Sequence, residues 1–248
     1  MQTITSQAIA AMIDHAVLTP TSTDSDVEAA CRLCVKYRTA GICVRPSDVA
    51  AAAELLADSS VKVGTVIGFP HGTTSTAAKT AEAKQAALDG CHEIDMVLNI
   101  GRLLSGNLIY VESDIAAVTA VARRAGLLIK VILEAYYLDQ AQKKIACAIC
   151  SDLGVDFVKT STGFAGGGAT VADVHLMRTH CPESVAIKAS GGIRDLDAAL
   201  AVIACGATRI GTSSTEKIIR TAQQREQDGQ LRPMTLAEAL LRHERRKG

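Results

Sequence analysis

Short runs of apolar, β-branched residues alternate with longer, alanine-rich amphipathic stretches along nearly the whole chain, and that alternation leaves few folds open. Strand-like runs fall at 11–18, 41–45, 61–68, 92–98, 127–134, 155–160, 185–189 and 208–211. Helical patterns lie between them at 24–38, 47–58, 75–90, 105–125, 138–152, 170–180, 195–205 and 213–225. Eight βα units in 248 residues match the length and count of an α/β (β/α)8 TIM barrel. An open doubly wound sheet is the alternative, but eight regular units favour closure.

Punctuation supports the count. Pro46 and Ser47 open the second helix, where a missing backbone N–H costs nothing. Gly90, Gly126, Gly154 and Gly206 stop helices just before the next strand. A short helix at 5–11 is expected to cap the barrel bottom, and 235–246 adds a terminal helix. No linker or charge block divides the sequence, so residues 1–248 are read as a single domain.

In this fold chemistry lies at the C-terminal strand ends, so residues there take a chemical reading and those at strand starts do not. Two lysines stand out. Lys159 ends Val-Asp-Phe-Val-Lys and Lys188 ends Val-Ala-Ile-Lys, each followed by small hydroxyl residues and glycine. Period-two alternation puts Phe157 with Lys159, and Ala186 with Lys188, on the inward faces of adjacent strands. Two amines at close range disfavour each other's charged form, so one can be neutral near pH 7 and attack a carbonyl carbon. The bland alternative is two lysines snorkelling to solvent or pairing with Glu134 and Asp95.

Further inward polar groups surround them. Asp95 shares a strand face with Glu93 and Val97 and can carry protons for an imine-forming lysine. Lys130 shares a face with Ile132 and Glu134 and extends a Lys–Asp–Lys network. Asp14, from Ile13-Asp14-His15, is either a structural acceptor or part of the relay. Glycine-rich loops follow the last three strands and offer Thr162, Gly163, Gly191, Gly192, Gly211, Ser213 and Ser214 as phosphate-binding candidates. The loops after strands seven and eight are the recurrent phosphate cradle of such barrels. A phosphorylated carbonyl compound is the expected substrate.

Composition narrows the partners. A formal net charge of zero argues against nucleic acid and anionic lipid as partners. The cluster Arg242, Arg245, Arg246 and Lys247 reads as a solvated helix end. The first residues show no basic segment followed by a long apolar one, and charges interrupt every apolar stretch before it reaches membrane-spanning length. A cytoplasmic protein is expected. The pairs Cys31/Cys34 and Cys147/Cys150 have zinc-motif spacing but fall inside helical patterns among Ala, Ile and Leu, and read as small core-facing residues. Cys43 is read separately, as a thiol at a strand end that is either core or open to reactive aldehydes formed at the site.

Several of these segments occur in an order that resembles the deoxyribose-phosphate aldolases, which are class I aldolases on a (β/α)8 barrel. They are Ile13-Asp14-His15, Ile42-Cys43-Val44-Arg45-Pro46, Val66-Ile67-Gly68-Phe69-Pro70, Glu93-Ile94-Asp95-Met96-Val97, Lys130-Val131-Ile132-Leu133-Glu134 and Arg209-Ile210-Gly211-Thr212-Ser213. The most specific are Phe157-Val158-Lys159-Thr160-Ser161-Thr162-Gly163 and Lys188-Ala189-Ser190-Gly191-Gly192. The resemblance implies reversible cleavage of 2-deoxy-D-ribose 5-phosphate to D-glyceraldehyde 3-phosphate and acetaldehyde. It implies Lys159 as the Schiff-base residue, Lys188 as the group that tunes it, Asp95 as proton carrier, and Lys130 and Asp14 completing the network. It also implies no metal, no cofactor and a homodimer. The chain departs from the family pattern at Ala16, where a threonine is common, at Glu134-Ala135-Tyr136-Tyr137, where Glu-Thr is more usual, and at its tyrosine-free C-terminus. Arg45 places a large cation at the expected mouth of the second strand.

Three rival readings remain at this stage. A Schiff-base aldolase with a ketone donor would share the lysines. A non-catalytic sensor of phosphorylated metabolites would share the pocket, and a zinc protein would use the two cysteine pairs.

Overall fold

The computed structural model describes the backbone of residues 4–245 and side chains as far as Leu241; the side chains of Arg242, Arg245, Arg246 and Lys247 lie outside the described residues. Its chain order is α1 (Ser6–Ala10), β1 (Ile13–Val17), α2 (Asp24–Tyr37), β2 (Gly41–Val44), α3 (Val49–Leu55), β3 (Lys62–Ile67), α4 (Thr76–Leu88) and β4 (Glu93–Val97). The second half runs α5 (Ile100–Leu104), α6 (Leu108–Ala125), β5 (Leu128–Ile132), α7 (Gln140–Asp152), β6 (Phe157–Lys159), α8 (Val171–His180), β7 (Ala186–Ser190), α9 (Leu196–Ala204), β8 (Arg209–Thr212), α10 (Thr215–Gln227) and α11 (Leu236–Arg245). Every strand pairs in parallel with the next, and β8 pairs with β1, so the sheet closes as a TIM barrel. No described helix is long and apolar enough to cross a membrane.

Local chemistry sets the element boundaries. Thr23 and Asp26 form a capping box on α2, and Asp139 with Gln142 forms another on α7. The helix expected over 105–125 is α6, and a short unexpected helix, α5, precedes it; Asn99 and Asn107 each accept a backbone N–H at the start of one of the two. The pattern expected from 47 opens instead with a single 3-10 turn at Pro46–Asp48.

Two distinct interiors result from the strand alternation. The outward residues Ile13, Ile42, Ile94, Ile129, Val158, Ile187 and Ile210 join the helices in one continuous apolar core. Inside the barrel, where branched aliphatic side chains usually stack in layers, lie Asp14, Glu93, Asp95, Lys130, Lys159 and Lys188, each at most 5% exposed. The hydrophobic effect is therefore carried by the strand–helix layer, and the barrel axis is given over to charge. All eight cysteines are buried and unpaired. Those of the two Cys-x-x-Cys pairs sit in the apolar core, on α2 and α7.

Candidate active site

Strand register brings the two lysines together. Lys159 on β6 is directly opposite Lys188 on β7, and both Nζ atoms reach the same oxygen, Oδ2 of Asp95, at 2.7 and 2.8 Å. Lys188 also holds Asp14 at 2.5 Å, and Lys130 holds the other oxygen of Asp95 at 2.8 Å. The lysines are 3% and 1% exposed, which rules out snorkelling to solvent. Of the two carboxylates named as bland partners, only Asp95 pairs with them. Glu134 turns to Thr162 and accepts its hydroxyl and backbone N–H.

Electrostatics separates the two amines. Burial pushes Lys159 below its ordinary value and the neighbouring Lys188 cation adds to that, while Asp95 opposes both. Burial also acts against charge on Lys188, but Asp14 and Asp95 together overcome it and raise its pKa. Burial alone would raise Asp95, yet Lys130, Lys159 and Lys188 hold its carboxyl well below the usual range. One lysine is thus biased towards the free amine and its neighbour towards the ammonium.

Above this floor opens a cavity of about 260 Å³. Lys159, Lys188, Asp14 and Cys43 form its base, with Ala16, Leu18 and Thr19 on the β1 side. Thr162, Gly163 and Phe164 form one wall, and Gly191, Gly192, Gly211 and Ser213 the glycine-rich side. Gly191 and Gly192 have φ of 83° and 76°, a region open to glycine at little cost. A Cβ on Gly168 would stand 2.3 Å from the Gly191 carbonyl oxygen, so the loops after β6 and β7 touch through bare backbone. Ser214 is not on the wall; its N–H donates to Thr212 Oγ1 at 2.9 Å. Asp95 and Lys130 lie beneath the floor and touch the cavity only through the lysines.

Arg45 directly follows the end of β2, as expected, but its guanidinium turns away from the cavity. Its Nε binds Asp48 at 2.7 Å, three residues on, and it does not line the cavity. Conversely, the sequence reading passed over Arg194, which lines the cavity beside Gly191–Gly192. A cation just after a glycine pair in a βα loop was the available signal. The sequence reading placed Glu93 on the face of Asp95 without giving it a role, and gave none to Arg209; both join the buried network from the strand starts. Phe164 was missed too; its ring packs edge-to-face on Phe69 at 5.2 Å and walls the cavity.

Comparison with known proteins gives the family. The family model of the DeoC/LacD family aldolases matches residues 8–219. The deoxyribose-phosphate aldolase of Rhodopirellula baltica is 46% identical over 215 residues, covering 87% of this chain and 89% of that protein. Deoxyribose-phosphate aldolase 1 of Bacillus licheniformis is 49% identical over 212 residues, covering 86% and 95%. Among solved structures, the deoxyribose phosphate aldolase of Aeropyrum pernix, described as a unique tetramer, superposes with a TM-score of 0.82 at 30% identity, covering 88% of this chain and 92% of that one. The chain belongs to the DeoC/LacD family of aldolases.

Proposed function

We propose that the protein is a class I aldolase that reversibly cleaves 2-deoxy-D-ribose 5-phosphate into D-glyceraldehyde 3-phosphate and acetaldehyde. The observation that carries this reading is the pair of buried amines on one carboxylate oxygen, with Lys159 biased towards the free amine and Lys188 towards the ammonium. The relatives named for this substrate supply the substrate class.

The residues divide the work as follows. Neutral Lys159 adds to C1 of the open-chain sugar, and the carbinolamine loses water to leave an iminium. Lys188, as the adjacent ammonium, supplies the proton that departs with that water. Loss of the C3 hydroxyl proton then sends the C2–C3 electrons into the iminium, releasing glyceraldehyde 3-phosphate and leaving the enamine of acetaldehyde. Protonation at C2 and hydrolysis free Lys159. Asp95 touches both amines and is the point through which protons redistribute between them, while Asp14 and Lys130 keep Lys188 and Asp95 charged. Gly191, Gly192, Gly211, Ser213 and Arg194 face the phosphate, and Thr162 and Gly163 close the opposite side. A cytoplasmic homodimer is the setting that goes with this reading. Sedimentation giving the mass of a monomer or a tetramer would overturn the dimer.

The test is covalent trapping. Incubation with 2-deoxyribose 5-phosphate or acetaldehyde, followed by borohydride, is expected to leave a reduced adduct on Lys159 that Lys159→Met lacks. Tight binding of the sugar phosphate with no adduct would overturn the reading in favour of a metabolite sensor. An adduct formed only with ketone donors would move the protein to another aldolase specificity.

A further inference from the structure

Below the reactive lysines the ion pairs continue to the starts of the strands. Arg209, the first residue of β8, donates from Nη1 to Asp14 Oδ1 at 2.7 Å and lies 3.1 Å from Glu93 Oε2. Glu93, the first residue of β4, binds Lys130 at 2.6 Å. The Arg209 guanidinium lies 5.4 Å above the Phe157 ring, and Lys130 Nζ lies 6.0 Å from the same ring. Neither Arg209 nor Glu93 lines the cavity.

The connected cluster holds three carboxylates, Asp14, Glu93 and Asp95, and four basic groups, Lys130, Lys159, Lys188 and Arg209. Charge balances only when one basic group is neutral. In a buried cluster a surplus charge is expensive, so the balance is itself a force on whichever group gives up a proton most easily. That group is Lys159, the amine whose only ion-pair partner among the described residues is Asp95. The other groups facing it are Lys188 from β7, Cys43 from β2 and, after β5, Glu134.

We propose that Arg209 and Glu93 are positioning residues that touch no substrate and set the charge balance under which Lys159 works. The inference rests on Lys159 being the Schiff-base lysine. Arg209 supplies the fourth positive charge, which makes a protonated Lys159 the surplus one. Glu93 supplies the third negative charge, which keeps Lys130 and Arg209 in place and, opposite in sign to Arg209, favours the proton on Lys159.

The two residues then have opposite signs, which a merely structural role would not give. Arg209→Gln leaves three basic groups against three carboxylates, a cluster balanced with Lys159 protonated. The acid limb of the rate of acetaldehyde adduct formation, read by borohydride quench and intact mass across pH, is expected to move up by about one pH unit. That is the effect of a unit charge roughly 10 Å away at an effective dielectric constant of about 20. Glu93→Gln leaves four basic groups against two carboxylates, and the limb is expected to move down by a similar amount. The double variant is expected to return to the wild-type midpoint, and Arg209→Lys, which keeps the charge, to hold it. Either single variant suffices, since each has its own sign. Should one fail to fold, the other and the double variant decide. Unchanged midpoints with reduced rates, or shifts of the same sign, would overturn the proposal. Absence of any adduct in the wild-type protein would instead overturn the Schiff-base reading beneath it.

Discussion

Lys159 and Lys188 share a single oxygen atom: Oδ2 of Asp95 accepts from one at 2.7 Å and from the other at 2.8 Å. They differ in what else they hold. Lys188 has a second carboxylate in Asp14 and Lys159 has none among the described residues, so the two amines part company in proton affinity although they lie side by side.

Removing the better-held amine tests this directly. Lys188→Met takes away a cation that disfavours charge on Lys159, so the Lys159 pKa rises. The nucleophile is the neutral form, present above that pKa and lost as pH falls through it. Turnover near neutrality is expected to drop by about a hundredfold or more, with the acid limb displaced to higher pH. A pH–rate profile checks both parts.

Acid should weaken the fold through the same cluster. Asp14 and Asp95 are held below their ordinary value of 3.8, chiefly by Lys188 and Lys130 against the opposing effect of burial. The stability they contribute is complete above that ordinary value and is lost as pH falls through the lowered ones. Urea midpoints measured from neutral pH downwards are expected to decline below about pH 4.

A second buried pair lies outside the cavity. Lys79 on α4 and Asp114 on α6 are fully buried at 2.5 Å; Lys79 also donates to the Val97 carbonyl at 2.9 Å, and Thr76 to Asp114 at 2.7 Å. Lys79→Met alone strands a buried carboxylate and is expected to cost about 3–5 kcal/mol in urea unfolding. Lys79→Met with Asp114→Leu is expected to cost much less, because no unpaired charge remains.

Arg194 should read the phosphate. Arg194→Ala is expected to raise KM for 2-deoxyribose 5-phosphate by about ten- to a hundredfold, the worth of one charge-assisted contact. The same variant is expected to leave kcat/KM for unphosphorylated 2-deoxyribose nearly unchanged. Steady-state kinetics on the two sugars separates these outcomes.

Cys43 is on the cavity floor, with its thiol pushed up to about 11 by burial and by Asp95. Its thiolate is scarce at neutral pH, so modification by unsaturated aldehydes is expected to be slow and to accelerate as pH rises. Cys43→Met is expected to lengthen the half-life of activity in concentrated acetaldehyde. An unchanged half-life would leave the thiol a packing residue.

The eight βα units could be read from the sequence because apolar runs and amphipathic stretches report burial directly, and burial is what the barrel organises. Lys159 and Lys188 could be read because a lysine ending an apolar strand conflicts with its surroundings. The short helix α5 was hidden, since Asn99 acts as a cap only once its side chain meets the backbone N–H of Arg102. Arg45 was placed correctly at the end of the second strand, but its pairing with Asp48 three residues along was not foreseen. Glu93 and Arg209 were given no role because they begin strands, where the fold gives no reason to expect chemistry. Their partners are 37 residues or more away in sequence and meet only across the closed interior.

The contact between Arg209 and Asp14 spans 195 residues and joins the last strand to the first. Until β8 docks, Asp14 lacks one of its cations, and the glycine loop bearing Gly211 and Ser213 has nowhere to sit. No piece of the chain that lacks β8, however well its helices and early strands form, can assemble the reactive amine in its working surroundings. Recovery of activity after dilution from denaturant thus reports closure of the barrel between its last strand and its first.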